Sequence, residues 1–91
     1  MSKTFSYLIC YDIGDPKLLR KVAGFLENEG LRLQKSVFLV RCAQHREKQI
    51  RQKLAAMIGT DHHLIVLPVC GRCFGQAVFL GKAPEPCWVA D

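Results

Sequence analysis

The chain has 91 residues, enough for one domain near the lower size at which a single chain buries a sufficient core, so association with a second copy is expected to help it. A net charge of +5, from 13 Lys and Arg against 8 Asp and Glu, favours polyanionic partners such as nucleic acid or an anionic membrane surface. The odd count of 5 cysteines, with no charged-then-apolar leader before them, argues against a secreted disulfide framework and predicts a cytoplasmic protein.

The first predicted elements are a strand and a helix. Residues 5 to 11, FSYLICY, are aromatic or aliphatic at nearly every position, as expected for a central strand covered on both faces. Asp15 offers an N-cap oxygen and Pro16 a ring fixed at helical φ, which predicts a helix beginning at Pro16. Gly30 is predicted to provide its left-handed C-cap. The apolar stripe of this helix consists of Leu18, Leu19, Val22, Phe25 and Leu26.

The middle of the chain contains an extended segment and a second helix. Leu31 to Arg41, LRLQKSVFLVR, is either one bent strand or a tight pair of strands broken near Lys35 and Ser36. Gln44 to Ile58 carries apolar residues at helical spacing opposite a charged face. Since Gly59 follows directly, an amphipathic helix ending at that glycine is predicted.

The last third of the chain contains one clear strand and one candidate. His63 to Val69 is predicted as a strand, with Pro68 tolerated only near an edge or a strand end. Gln76 to Leu80 is a candidate for one more short strand. The longest apolar run, Leu64 to Cys70, is far shorter than the roughly 20 residues that span a bilayer, so we expect no transmembrane segment.

The order of these elements predicts an α+β fold. The predicted order along the chain is a strand, a helix, an extended segment, a second helix and a strand. This order suits an antiparallel sheet with both helices on one face. Splitting the extended segment into two strands completes the βαββαβ ferredoxin-like pattern. We therefore expect one ferredoxin-like sandwich domain over 1–82, with a short C-terminal strand, and a loose tail over 83–91.

Asp12, at the end of the first strand, is the main candidate for a functional residue. The sheet would hold its carboxylate while the following loop leaves it open to solvent. One interpretation is an Asx-turn, in which the carboxylate accepts backbone N–H groups near Gly14. The other is a Mg²⁺ site, in which Asp12 is joined by waters, substrate phosphates and a second Asp12 across a two-fold axis. An ion in that position would support hydrolysis of a phosphodiester.

Basic side chains flank Asp12 in the sequence and are candidates for nucleic-acid binding. They would position a strand by its phosphates without reading its bases, whereas the alternative for Lys17 and Lys21 is an ordinary solvated helix face. Ser36 can offer a hydroxyl to a phosphate, and Phe38 either offers a ring to a base or belongs to the core. The basic candidates are Lys17, Arg20, Lys21, Arg32, Lys35 and Arg41.

Cys70-Gly71-Arg72-Cys73 is a CxxC motif. Structural zinc needs four ligands, and the remaining local candidates, Cys87, His62 and His63, form no second clean pair. A redox role is less favoured still, because the motif follows a late strand and opens no evident helix. Buried or idle thiols are therefore the preferred interpretation.

Several stretches together resemble the CRISPR-associated protein two family, the small endoribonuclease-like subunit of the CRISPR spacer-acquisition machinery. The resemblance covers about residues 5 to 80, and the combination of a strand-end aspartate with the QKSVF run is its most specific part. The matching stretches are Tyr11-Asp12-Ile13, Leu18 to Ala23, Gly30 to Phe38 and Leu67-Pro68-Val69-Cys70.

The resemblance implies a homodimer whose two Asp12 carboxylates face each other, bind Mg²⁺ or alternatively Mn²⁺, and act in the cleavage of RNA or DNA. Tyr11 would neighbour this site, with Ser36 and Phe38 beside it. The alternative function is a non-catalytic DNA-binding scaffold between the dimers of the CRISPR integrase subunit.

Some relatives place an arginine where Leu19 stands, which leaves Arg20 or Lys21 to supply that charge. Family members often extend their C-terminal segment onto the partner's sheet, which would give Gln76 to Leu80 a role.

Overall fold

A computed structural model of the chain describes residues 4–78 and 80. The predicted βαββαβ order is confirmed, and the extended segment is a tight pair of strands separated by a turn at Lys35 and Ser36. The bounds predicted for the second helix and the last strand match the structure residue for residue. The elements are β1 (Thr4–Asp12), α1 (Pro16–Glu27), β2 (Leu31–Gln34), β3 (Val37–Ala43), α2 (Gln44–Ile58), β4 (His63–Val69) and α3 (Gly71–Gly75).

The four strands form one antiparallel sheet in the order β2-β3-β1-β4. β1 is therefore central, as its apolar sequence predicts, and β4 is an edge strand that accommodates Pro68. The chain has the α+β ferredoxin-like architecture expected from the element order.

The hydrophobic core lies between one face of the sheet and the helices. Alternate residues of β1 are buried, as the two-residue period of a strand requires. Two of them, Ile9 and Tyr11, belong to one cluster with residues of α1 and α2. The described residues include no buried polar or charged side chain. The least exposed members are Ile9, Val22, Leu26, Phe38, Val40, Ile50 and Leu54, each at 2% exposure or less.

The opposite face of the sheet, called the open face below, is apolar at its centre. Cross-strand partners share a face, so the register arranges this surface in rows. The two central rows are apolar and include the exposed side chains of Ile65 and Leu67, at 54% and 47%. A row that carries polar side chains flanks them at each end. The rows are Asp12–His63, Val37–Cys10–Ile65, Leu39–Leu8–Leu67 and Arg41–Ser6–Val69.

The prediction of a left-handed C-cap at Gly30 is wrong. α1 ends at Glu27, and its C-cap, Asn28, has right-handed helical angles. Among the described glycines, only Gly59 has a positive φ, and it ends α2 as predicted. Gly30 is needed for a different reason, since a Cβ there would meet the backbone oxygen of Leu39 and lie 2.8 Å from Cγ2 of Val40. The glycine permits close approach of the chain to β3.

The short C-terminal strand predicted over Gln76 to Leu80 is not formed by Gln76, Ala77, Val78 and Leu80, the residues of that segment that the structure describes. A strand needs a neighbouring edge to satisfy its backbone groups, and these residues pair with no strand of the described sheet. Val78 and Leu80 are 79% and 88% exposed. The boundary predicted at 82 and the tail over 83–91 lie outside the described residues. In residues 4–78 and 80, none of the helices has the length and hydropathy needed to cross a membrane.

Candidate functional site

Asp12 is the last residue of β1, and its side chain is exposed. Within the described residues its carboxylate accepts no hydrogen bond, so the structure does not contain the Asx-turn that was one interpretation of this residue. Asp15 has the capping role instead, because its Oδ1 accepts a hydrogen bond from the backbone N–H of Lys17 at 3.1 Å. The oxygens of Asp12 therefore remain available to a ligand.

Separate roles for these two aspartates predict separate effects on stability. Asp15→Ala is expected to lower the free energy of unfolding by about 1 kcal/mol, because it leaves the first turn of α1 without its cap. Asp12→Ala is expected to change it by less than about 0.5 kcal/mol, as is usual for an exposed side chain. Urea denaturation in metal-free buffer measures both values. A larger loss for Asp12→Ala would return the capping role to Asp12.

The turn between β2 and β3 is fixed beside the end of β1. The backbone N–H of Tyr11 donates to the carbonyl of Ser36 at 3.1 Å, and the Tyr11 hydroxyl donates to the carbonyl of Lys35 at 3.4 Å. Tyr11 is buried, and its neighbour Asp12 lies on the other face of the strand. The structure thus brings Lys35 and Ser36 to the end of the sheet where Asp12 lies, and gives Tyr11 a positioning role.

His63 is a site residue that the sequence interpretation missed. It begins β4 and is the direct cross-strand partner of Asp12, so the two side chains share the open face. Directly opposed residues in antiparallel strands have Cβ atoms about 4.5–5.5 Å apart. The βαββαβ order could have indicated His63. When the last strand pairs antiparallel with β1, its first residue lies near the last residue of β1.

The exposed cations of α1 and of the β2–β3 turn are not neutralised by the acidic side chains that the structure describes. Lys17, Arg20 and Lys21 are exposed on α1, and Lys35 is exposed in the β2–β3 turn. None of these four takes part in the ion pairs found among residues 4–78 and 80, which involve Arg32, Arg46 and Arg51. Their charge is therefore available to an anionic ligand.

Arg32 and Leu19 differ from these cations. Arg32 forms an ion pair with Glu27 at 3.6 Å, and its guanidinium carbon lies 5.3 Å from the centre of the Phe38 ring. Leu19, where some relatives carry arginine, packs against the core. Arg20 and Lys21, which follow Leu19 in the sequence, are both exposed, so either could supply the charge that an arginine at position 19 would provide.

Two predicted nucleic-acid contacts are not supported by their positions. Phe38 is fully buried and stacks against Tyr11, with ring centroids 6.3 Å apart, so the core alternative is correct and the base-contact hypothesis is wrong. Arg41 pairs with Ser6, and Asp12 is six positions further along β1, a distance of about 20 Å. Arg41 therefore lies at the opposite end of the open face.

Cys70 and Cys73 lie at the end of β4 remote from Asp12. The expectation that the CxxC motif opens no helix is wrong, because α3 begins at Gly71. His62 and His63 are at the other end of β4, and about 23 Å of strand separates His63 from Cys70, so the histidines cannot join these thiols at one ion within a chain. In the described part of the chain, no three His, Cys, Asp or Glu side chains come together as metal ligands.

A groove of about 630 Å³ lies between α2 and the end of the sheet remote from Asp12. Its lining includes Phe5, Tyr7 and Cys70, with Glu47 and Arg51 paired at 3.3 Å. Burial, with a smaller contribution from the Glu47 carboxylate, raises the pKa of Tyr7. The phenol of Tyr7 is therefore neutral at physiological pH.

The sequence of the chain matches a known protein family over most of its length. The family model described as "CRISPR associated protein Cas2" matches residues 5–77, which confirms the resemblance seen in the sequence. The "CRISPR-associated endoribonuclease Cas2 1" of Chloroflexus aurantiacus is 34% identical over 82 residues, covering 88% of each chain. The "CRISPR-associated endoribonuclease Cas2 4" of Rhodospirillum rubrum is 36% identical over 80 residues, which cover 87% of this chain and 64% of that relative.

Solved structures share the fold. A hypothetical protein of Thermus thermophilus, TT1823, has a TM-score of 0.80 at 28% identity, covering 92% of this chain and 99% of its own. Streptococcus pyogenes Cas2 has a TM-score of 0.76 at 24% identity, covering 84% and 99%. A chain from a partial Cas6-RT-Cas1--Cas2 complex has a TM-score of 0.75 at 24% identity, covering 90% and 97%.

Proposed function

Because this chain belongs to the family of CRISPR-associated protein Cas2, we propose that it acts in CRISPR spacer acquisition as a nucleic-acid-binding homodimer with a metal-dependent endonuclease site. The observation that carries this proposal is the state of Asp12. Its carboxylate is exposed and accepts no hydrogen bond from the described residues, and the exposed cations on the helix that follows it form no ion pair with a described acid. RNA or DNA is the substrate class, since both present the same phosphodiester.

The open face supports the homodimer. Its two central rows expose Ile65 and Leu67, and β4 borders them as an edge strand. Such a contiguous apolar surface, rimmed by polar rows, has the character of a protein interface. Two copies joined by this face would place the Asp12–His63 row at the rim of the interface, open to a polyanion.

The residues at the strand end fit Mg²⁺ or Mn²⁺. Both ions prefer oxygen ligands, and Mg²⁺ commonly combines one or two carboxylates with waters and substrate phosphates. Asp12 and its counterpart from a second copy provide two carboxylates of that kind. When bound, the ion supplies an activated water and neutralises the charge that develops on the phosphate.

The chain's own residues then bind and orient the substrate. Lys17, in the first turn of α1, and Lys35, in the turn hydrogen-bonded to Tyr11, contact phosphates and fix the strand. Arg20 and Lys21 extend the positive charge along α1. His63, the cross-strand partner of Asp12, offers its ring nitrogens for hydrogen bonds beside that carboxylate. None of these contacts reads a base.

A second candidate is a non-catalytic DNA-binding scaffold that contacts the CRISPR integrase subunit. The cations on α1 favour it, since they offer phosphate contacts whether or not Asp12 binds an ion. One structural neighbour comes from a complex that contains Cas1 together with Cas2, which supports that partner class. Asp12 would be dispensable in this role.

Salt-dependent binding tests the electrostatic part of the proposal. With about four phosphates contacted, affinity for RNA, single-stranded DNA or duplex should fall about a hundredfold between about 50 and 200 mM salt. It should vary little with base sequence. Fluorescence anisotropy measures the binding, and cleavage of the same probes with Mg²⁺ or with chelator separates the two candidates. Binding that follows sequence and ignores salt would contradict both.

A further inference from the structure

Cys70 and Cys73 form a close pair of exposed thiols at the junction of β4 and α3. Their sulfurs are 3.1 Å apart, and the backbone N–H of Cys73 donates to Sγ of Cys70 at 3.3 Å. We propose that these two residues form a redox-active dithiol that closes reversibly to a disulfide by exchange with low-molecular-weight disulfides. This activity is independent of the Asp12 site.

The geometry requires little rearrangement for closure. A disulfide has an S–S bond of about 2.05 Å, so the two sulfurs need to approach each other by about 1 Å. Both side chains are exposed, which lets a small disulfide reach either sulfur. Neither thiol belongs to the hydrophobic core, so closure does not require repacking of buried residues.

The two thiols differ in their chemical roles. Hydrogen bonds from the side chain and then the backbone of Cys73 lower the pKa of Cys70, because they stabilise its thiolate. The same side-chain hydrogen bond, followed by the charge of Cys70, raises the pKa of Cys73. Since the thiolate is the nucleophile, Cys70 is the attacking residue and Cys73 the resolving one.

The exchange balances in two steps. The Cys70 thiolate attacks one sulfur of the small disulfide, forms a mixed disulfide and releases one small thiolate, which takes up the proton lost by Cys70. The deprotonated Cys73 sulfur then attacks Cys70 Sγ, closes the protein disulfide and releases the second small thiol. The protein loses two electrons and two protons, and the small disulfide gains them.

The other described cysteines lack these features. Cys10 and Cys42 are partly buried on separate strands and opposite faces of the sheet. Burial raises the pKa of Cys42, and the Glu47 and Glu29 carboxylates add to this effect, so it is protonated at neutral pH. Exchange is therefore expected at Cys70 and Cys73 alone among the described thiols.

Mass spectrometry of the intact chain tests the proposal in a Cys87→Ser background, which removes the thiol that lies outside the described residues. The reduced protein is incubated with glutathione disulfide without oxygen. We expect the chain to lose the mass of two hydrogen atoms, peptide mapping to link Cys70 to Cys73, and dithiothreitol to restore the original mass.

Two matched variants separate attack from resolution. Cys73→Ser should accumulate one glutathionyl group on Cys70, because no second thiol resolves the mixed disulfide. Cys70→Ser should be modified more slowly, because it lacks the thiolate. The proposal is overturned if no link between Cys70 and Cys73 forms, if both variants react at equal rates, or if the native chain contains stoichiometric zinc that both variants lose.

Discussion

Asp12→Asn is expected to lower the rate of Mg²⁺-dependent phosphodiester cleavage by about a hundredfold or more. Loss of a metal carboxylate removes several kcal/mol of transition-state stabilisation, and each 1.4 kcal/mol corresponds to about a tenfold change in rate. The fold should be unaffected, because the side chain is exposed and accepts no hydrogen bond from the described residues. Single-turnover cleavage of labelled RNA and DNA, with Mg²⁺ or with chelator, measures the effect.

Asp15→Asn is the matched control for this variant. It removes the same charge three residues away, and asparagine caps a helix about as well as aspartate does. Cleavage by Asp15→Asn should therefore equal that of the native chain. If Asp12→Asn cleaves as fast as its control, Asp12 is not catalytic. If the native chain binds nucleic acid and does not cleave it, the scaffold is the function.

Leu67→Lys is expected to weaken the proposed homodimer by about a hundredfold or more. Leu67 lies in a central row of the open face and is 47% exposed in the single chain. A dimer formed by this face would bury the introduced ammonium group without a partner, and an uncompensated buried charge costs about 3–5 kcal/mol. Sedimentation equilibrium over a range of protein concentrations measures the dissociation constant.

Gln52→Lys provides the control for charge alone. Gln52 is exposed on α2, on the side of the sheet opposite the open face, so the added charge should leave the dimer unchanged. Far-ultraviolet circular dichroism of both variants checks that the monomer fold persists. Equal dimer stability in Leu67→Lys and Gln52→Lys would place the interface on another surface.

The parts of the fold that local chemistry determines could be predicted from the sequence. α2 combines apolar residues at helical spacing with a terminal glycine of positive φ, and the structure gives the predicted bounds. The start of α1 was also predictable, because Asp15 caps the first turn and the Pro16 ring fixes a helical φ. Both effects act within one turn of helix. Such signals involve residues only a few positions apart.

Features that depend on contacts distant in the sequence could not be predicted. A glycine shortly after a helix is typical of a left-handed cap, but Gly30 lacks a side chain because the backbone of β3 passes close to it. The local sequence does not reveal that contact. α3 is too short to show a helical period, so the CxxC motif lacked the context that the structure provides. The segment from Gln76 has no strand partner in the described chain, so its structure depends on neighbours that its own residues do not specify.

The candidate site was predictable only in part. Asp12 could be predicted as a site residue because it lies at the end of a central strand. The exposed cations of α1 could be predicted from their spacing in the sequence. Two aspartates three residues apart were both plausible turn caps, and the hydrogen bond from Lys17 to Asp15 distinguishes them. His63 is 51 positions from Asp12 in the sequence, and the β1–β4 register brings them together.

The proposed endonuclease site requires two copies of Asp12 to share one ion. A two-fold axis nearly parallel to the strands would face one Asp12–His63 row with its copy. An axis across the strands would instead place that row against the Arg41–Ser6–Val69 row of the second copy. Titration of the native protein with Mn²⁺, followed by electron paramagnetic resonance, measures the stoichiometry directly. We predict one ion for every two chains and loss of that ion in Asp12→Asn. One ion per chain, or no specific binding, would contradict the shared site.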